Sequence, residues 1–190
     1  MRSHSISRRS FLATSAALAA YPFTNSFAQS SYGIFGEVAP ELNIDYWIDE
    51  NGHPTEYSVT DQKGKWVFLK CFQDWCPGCH SSGFPALQKF SAEFAGHPKV
   101  SIAAIQTVFE GFRSNTLEDV RKLQLRYELP IPMAHDPGNP DGNHRPQTMQ
   151  KYRTGGTPWI IIIDPNGTVV FNDFHINVDK LIEYVAADIT

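Results

Sequence analysis

Trp75-Cys76-Pro77-Gly78-Cys79-His80 sets two thiols three residues apart, a spacing at which one disulfide can be traded between the pair and a partner. Its flanks decide what the pair does. Upstream, Trp66 to Phe72 reads Trp-Val-Phe-Leu-Lys-Cys-Phe, a short apolar run suited to a buried strand, and Pro85 to Phe94 carries apolar residues at helical spacing. The dithiol therefore falls at a strand-to-helix junction. A helix N-terminus gathers unpaired N–H groups and the positive end of the macrodipole, which favours thiolate over thiol at Cys76. The same residues also spell C-x-x-C-H, the attachment signature of a c-type haem. On that reading Cys76 and Cys79 form thioethers, His80 ligates iron, and Met133 or Met149 supplies a second axial ligand. The strand-like run leading into the motif speaks for the redox dithiol.

The amino terminus bears on compartment. Ser7-Arg8-Arg9-Ser10-Phe11-Leu12, the Ala-rich stretch from Ala13 to Ala20 and the small-residue site Ser26-Phe27-Ala28 together form a twin-arginine-type export signal over residues 1–28. The apolar part is too short to span a bilayer. Cleavage after Ala28 leaves residues 29–190 as a single domain, not transmembrane, and large enough for a substantial core. The net charge of −4 becomes more negative on processing, because Arg2, Arg8 and Arg9 leave with no acid. With no Lys/Arg cluster in the remainder, nucleic acid is not an expected partner. Three cysteines allow at most one internal bridge.

Along that domain, Tyr46 to Ile48 and Tyr57 to Val59 are expected to form an N-terminal hairpin, with Asn51-Gly52 supplying positive φ angles. Val100 to Val108 reads as a buried strand. Thr116-Leu117-Glu118-Asp119 opens a helix reaching about Glu128, with Leu117, Val120, Leu123 and Tyr127 on one face. Ile131 to Ala134 is a short strand. Trp159–Asp164 and Thr168–Phe171 flank Asp164-Pro165-Asn166-Gly167, a strong hairpin signal. Val178, Leu181, Ile182 and Val185 stripe a last helix. The order βαβ, inserted αβ unit, ββα predicts an α/β domain: a central mixed β-sheet flanked by helices.

With the dithiol element and Gly155-Gly156-Thr157-Pro158-Trp159 both in hand, the chain resembles the thioredoxin superfamily, and more narrowly the exported, redoxin-type TlpA/ResA-like thiol–disulfide oxidoreductases. The likeness also rests on Gly36-Glu37-Val38-Ala39-Pro40, Lys63-Gly64-Lys65-Trp66-Val67 and Asp164 to Gly167. It implies a thioredoxin-like fold in which Cys76 is an exposed nucleophile that forms a mixed disulfide and Cys79 resolves it. Pro158 matches the family's cis-proline, with Thr157 offering backbone hydrogen bonds to a bound peptide. Trp75 and Pro77 belong to the substrate lip. The implied partners are protein disulfides and a membrane-bound thiol donor, in the periplasm or cell envelope, with no cofactor and no resident metal. A copper-handling metallochaperone is the alternative.

Departures from that pattern touch thiol reactivity. Six residues before the nucleophile, where thioredoxins carry a buried acid and TlpA/ResA-like chains often an amide, stands Lys70. Its stem packs while the ammonium reaches water, or it faces Cys79 and tunes the pair, favouring thiolate while charged or accepting a proton if desolvation lowers its pKa. Ser82 replaces a frequent Glu and Pro85 lies one place late, so a rearranged helix start is expected. Asp136 to Thr148 is too rich in breakers for helix or strand, and is a partner-recognition rim or a variable loop. Cys71 is expected beneath the active helix as inert packing. A metal cluster would draw on Cys71, Cys76, Cys79 and one of His80, His135, His144 or His175, but the spacing fits no standard zinc pattern.

Overall fold

The computed structural model describes residues 32–190, and the export signal expected over 1–28 lies outside them. Seven strands form one mixed sheet: β1 (Tyr46–Ile48), β2 (Pro54–Thr55), β3 (Trp66–Phe72), β4 (Val100–Val108), β5 (Met133–Pro137), β6 (Trp159–Ile163) and β7 (Val169–Asp173). Their spatial order is β2-β1-β5-β4-β3-β6-β7. β3, β4 and β5 run parallel, and β6 returns antiparallel on the other side of β3. The helices are α1 (Phe84–Phe94), α2 (Leu117–Arg126), α3 (Gln147–Tyr152) and α4 (Val178–Ile189). This is the expected α/β arrangement, a mixed sheet flanked by helices. Among the described residues no helix is long and apolar enough to cross a membrane.

Strand parity divides the core. On β3, Trp66, Phe68 and Phe72 point to one face, where they meet Leu87 and Phe90 of α1, Val120 and Leu123 of α2, and Leu181 and Val185 of α4. Val67, Leu69 and Cys71 point to the other, among Ile34, Leu42, Trp47 and Tyr152. Two successive parallel crossovers that step the same way along a sheet put their helices on the same side, and α1 and α2 do share one face. Cys71 therefore lies on the face away from the active helix, not beneath it as the sequence reading placed it. Alternation along the strand forbids Lys70 and Cys71 from facing the same side.

Where local signals govern, expectation and structure agree. The α2 start is a reciprocal capping box, with Thr116 N–H and Oγ1 both donating to Asp119 Oδ2 at 2.9 and 2.7 Å. The Asp164–Gly167 turn closes β6 onto β7 with Gly167 at φ 85°. Leu117, placed on the buried face by periodicity, is 41 % exposed.

Three elements depart from expectation for tertiary reasons. The partner of β1 is Pro54–Thr55 rather than Tyr57–Val59. The carboxylate of Glu41 accepts from the N–H groups of Val59 and Thr60 at 2.9 and 3.0 Å, so those donors never enter a ladder. Of the hairpin pair only Gly52 has positive φ. β5 begins at Met133 rather than Ile131 and runs into the breaker-rich segment, and α3 starts at Gln147, where no helix was expected. Buried Asp136 explains α3: its carboxylate accepts from Gln147 N–H and Thr148 N–H at 2.8 Å each and from Thr148 Oγ1 at 2.6 Å. A carboxylate from β5, eleven residues away, thus caps a helix whose own preceding residue, Pro146, cannot. Asp136→Ala should lower stability by about 2 kcal/mol, since it orphans buried donors. Urea unfolding of the variant checks this, with faster hydrogen exchange expected at the Gln147 and Thr148 amides that lose their acceptor.

Candidate active site

The turn after β3 carries the dithiol across the C-terminal end of the parallel strands. Cys76 opens the helix: its carbonyl accepts from Cys79 N–H at 3.0 Å and from His80 N–H at 3.3 Å. Cys79–Gly83 then winds as a π-turn before α1 resumes at Phe84. A π-turn accommodates one extra residue within a helix, which is the physical form of the late Pro85 and the rearranged start. Cys76 keeps 5 % of its surface open and Cys79 none, so Cys76 is less exposed than expected and presents only a narrow edge of sulfur. No disulfide joins them; all three cysteines are free thiols.

Opposite the pair stands the loop before β6, with the Thr157–Pro158 bond cis, as the resemblance implied. The Cys76 thiol faces the Thr157 carbonyl at 3.5 Å. Pro158 is buried against the dithiol turn, where a Cβ on Gly78 would come 3.1 Å from its Cδ. Pro77 is exposed and Trp75 is 45 % exposed, so both form part of the rim around Cys76. The Trp75 indole lies over Gly111, whose φ of 60° and crowding leave no room for a side chain.

Electrostatics separate the two thiols. Cys79 donates to Cys76 and holds its pKa down at about 6 against the opposing effect of burial, helped by Thr157, by the Cys79 N–H at 3.2 Å from Sγ, and by Lys70. That same hydrogen bond, together with burial, raises Cys79, which keeps the shared proton. One sulfur is thus poised as thiolate and the other as thiol. Cys71, wholly buried on the far face, is pushed up to about 12 by desolvation and stays an unreactive thiol.

Lys70 does not lift its ammonium to water. It is wholly buried on the dithiol side of the sheet, and burial lowers its pKa to about 8 against the pull of Cys79, Cys71 and Cys76.

His80 is engaged as a brace. One ring nitrogen, Nε2, meets the Asp74 carbonyl and must donate to it, and Nδ1 lies 2.5 Å from the Tyr127 hydroxyl. Its ring stacks with Tyr127, which stacks with Phe84 at 4.1 Å. A haem ligand needs a free ring nitrogen, whereas both are occupied here, and Met133 is sealed in the core of β5. Among the described residues no three His, Cys, Asp or Glu side chains converge on a common point. Cys71 faces the wrong side to join a copper cluster with the dithiol.

Two site residues went unnoticed in the sequence. Gln73, wholly buried at the end of β3, donates to the Glu110 carbonyl at 3.2 Å and accepts from Thr157 Oγ1 at 3.4 Å, tying the dithiol turn to the cis-proline loop. Asn115 accepts from Asp74 N–H at 2.7 Å and donates to the Gly111 carbonyl at 2.9 Å, clasping the turn from the other side. A polar residue directly following a buried strand was the available signal for Gln73; Asn115 had none.

A family model described as the AhpC/TSA family matches residues 35–172. The chain belongs to the AhpC/TSA family. Within it the fold is thioredoxin-like and the closer likeness is to TlpA/ResA-type proteins. One relative, the thiol-disulfide oxidoreductase ResA of Geobacillus kaustophilus, is 26 % identical over 157 residues, covering 77 % of this chain and 73 % of its own. A solved thioredoxin-like superfamily protein superposes with a TM-score of 0.68 at 32 % identity, covering 79 % of this chain and 94 % of that one. A thiol-disulfide isomerase from Corynebacterium glutamicum gives 0.67 at 29 % identity, covering 80 % and 95 %. This AhpC/TSA-family chain is an enzyme, a thiol–disulfide oxidoreductase of thioredoxin type.

Proposed function

We propose that the protein is an exported reductase of protein disulfides, with Cys76 as attacking nucleophile and Cys79 as resolver. The observation that carries this reading is the split pair: a thiolate-prone Cys76 at the surface edge and a fully buried Cys79 that holds the proton, both against the Thr157–Pro158 loop. Cys76 thiolate attacks a client disulfide, forming a mixed disulfide and releasing one client sulfur. Cys79 then attacks Cys76 Sγ, the second client sulfur leaves, and the enzyme is left oxidised. A client strand laid along the loop would meet the Thr157 backbone, with Trp75 and Pro77 as its apolar rim.

The reducing direction is part of the proposal, and the depth of the Cys76 shift supports it. A pKa of about 6 lies nearer the ~7 of thioredoxin than the ~3.5 of a strongly oxidising relative. A shift of this modest depth supports the reducing role proposed here. In this proposal residues 1–28 direct export by the twin-arginine route and residues 29–190 form the working domain in the periplasm or cell envelope. A thiol donor in the membrane resupplies electrons.

A Cys79→Ser variant expressed in the cell of origin should accumulate mixed disulfides with envelope proteins, visible as adducts that collapse on reduction, and Cys76→Ser should not. Equal trapping in both variants would overturn the assignment of roles.

A further inference from the structure

Beneath the dithiol lies a lysine to which the exchange chemistry above assigns no task. Lys70 is wholly buried, and among the described residues no hydrogen-bond partner meets its Nζ. Strand parity puts it on the face of β3 that α1 covers. Room for its tip exists only because residue 83 is glycine: a Cβ there would stand 2.8 Å from both Cε and Nζ of Lys70 and 3.1 Å from Cβ of Pro158. The amine therefore ends between the π-turn that begins at Cys79 and the cis-proline loop. The side chains in register with Lys70 on either side, Ala104 and Ile160, carry no charge. The ionisable groups that act on it are sulfurs, Cys79 most, then Cys71 and Cys76. Buried amines without a carboxylate partner hold their proton loosely and exchange it with whatever acid lies nearest.

We propose that Lys70 is the proton acceptor for Cys79 when the mixed disulfide is resolved. This rests on the roles of Cys76 and Cys79 proposed above. While Cys76 is a thiolate, its negative charge helps to keep a proton on Lys70. Formation of the mixed disulfide consumes that anion and favours the neutral amine. The amine then takes the S–H proton of Cys79, and the resulting thiolate attacks Cys76 Sγ. The Cys76–Cys79 bond forms, the Cys76–client bond breaks, and the electron pair leaves on the client sulfur, which solvent protonates. Lys70 stays an ammonium beside the new disulfide. When a donor thiolate reopens that disulfide, Cys79 departs as thiolate and recovers the proton from Lys70.

Dithiobis(nitrobenzoate) separates the two events, because attack by Cys76 releases one coloured thionitrobenzoate and attack by Cys79 releases a second. With the reduced protein in a stopped-flow absorbance experiment, Lys70→Met should slow the second release about 100-fold at neutral pH while altering the first far less. The deficit should shrink as rising pH ionises Cys79 without help. Gly83→Ala, which keeps the lysine but drives its tip from the pocket, should slow the same phase. A second release of wild-type rate and pH dependence in both variants would overturn the role of Lys70 alone. A second release that persists in a Cys79→Ser variant with Lys70 intact would instead sink the dithiol reading beneath it.

Discussion

Serine at position 76 is expected to lower kcat/KM for reduction of a protein disulfide by at least about 10³-fold, because a hydroxyl neither ionises at neutral pH nor attacks sulfur. The same thiolate makes a pH signature. With its pKa at about 6, roughly nine-tenths of Cys76 is ionised at pH 7. Alkylation of the wild-type protein should therefore rise through pH 6 and level off well below pH 9, with Cys79, which has no open surface, left unmodified. Linkage adds a second reading. Because the folded pKa lies below the unmodified value of 9.0, the stabilisation from Cys76 is complete above pH 9 and is lost as pH falls through about 6. Only the dithiol form carries it, so the reduced protein should lose stability relative to the oxidised protein as pH falls through that window. An alkylation midpoint near 8.5 or above, or parallel stability profiles for the two redox forms, would contradict the placement of the negative charge on Cys76.

Those features were legible in the chain because each is written within a few residues. The dithiol follows a buried strand, the capping box spans Thr116 to Asp119, and Thr157-Pro158 directly precedes β6. What stayed hidden depends on side chains that reach across the fold. Glu41 withdraws the Val59 and Thr60 donors from the expected hairpin, and Asp136 caps α3 from another strand. Neither carboxylate stands at a helix start in sequence, so no local rule finds them. Cys71 is a different kind of miss. Period-2 alternation already separates it from Lys70, and a lysine turned toward the dithiol requires Cys71 to face away. The π-turn belongs to both kinds: a one-residue displacement of Pro85 signals an irregular helix, but only the packed structure shows that the extra turn brings Gly83 over Lys70. A polar side chain in the heart of β3 that breaks the apolar pattern without a partner is what a functional compromise looks like in sequence.

That compromise predicts an unusual trade. Lys70→Met should fold more stably than wild type even as it resolves mixed disulfides more slowly. Burial lowers the lysine from 10.5 to about 8, so at neutral pH folding must force a proton to remain on an amine that the interior disfavours. For a base with a depressed folded pKa the penalty is full below about 8 and vanishes above 10.5. The shift corresponds to about 3 kcal/mol at neutral pH. Methionine keeps the length and most of the volume of the buried stem, so little packing is lost on substitution. The gain should be larger in the oxidised protein, where neither Cys76 nor Cys79 can offer a negative charge to the ammonium, than in the reduced one. Urea unfolding of both redox forms at pH 6.5 and near pH 10.5 checks this: a stability gain at the lower pH that fades at the higher one is the expected result. A loss at both values would mean that the lysine is stabilised in its pocket and carries no strain available to the chemistry.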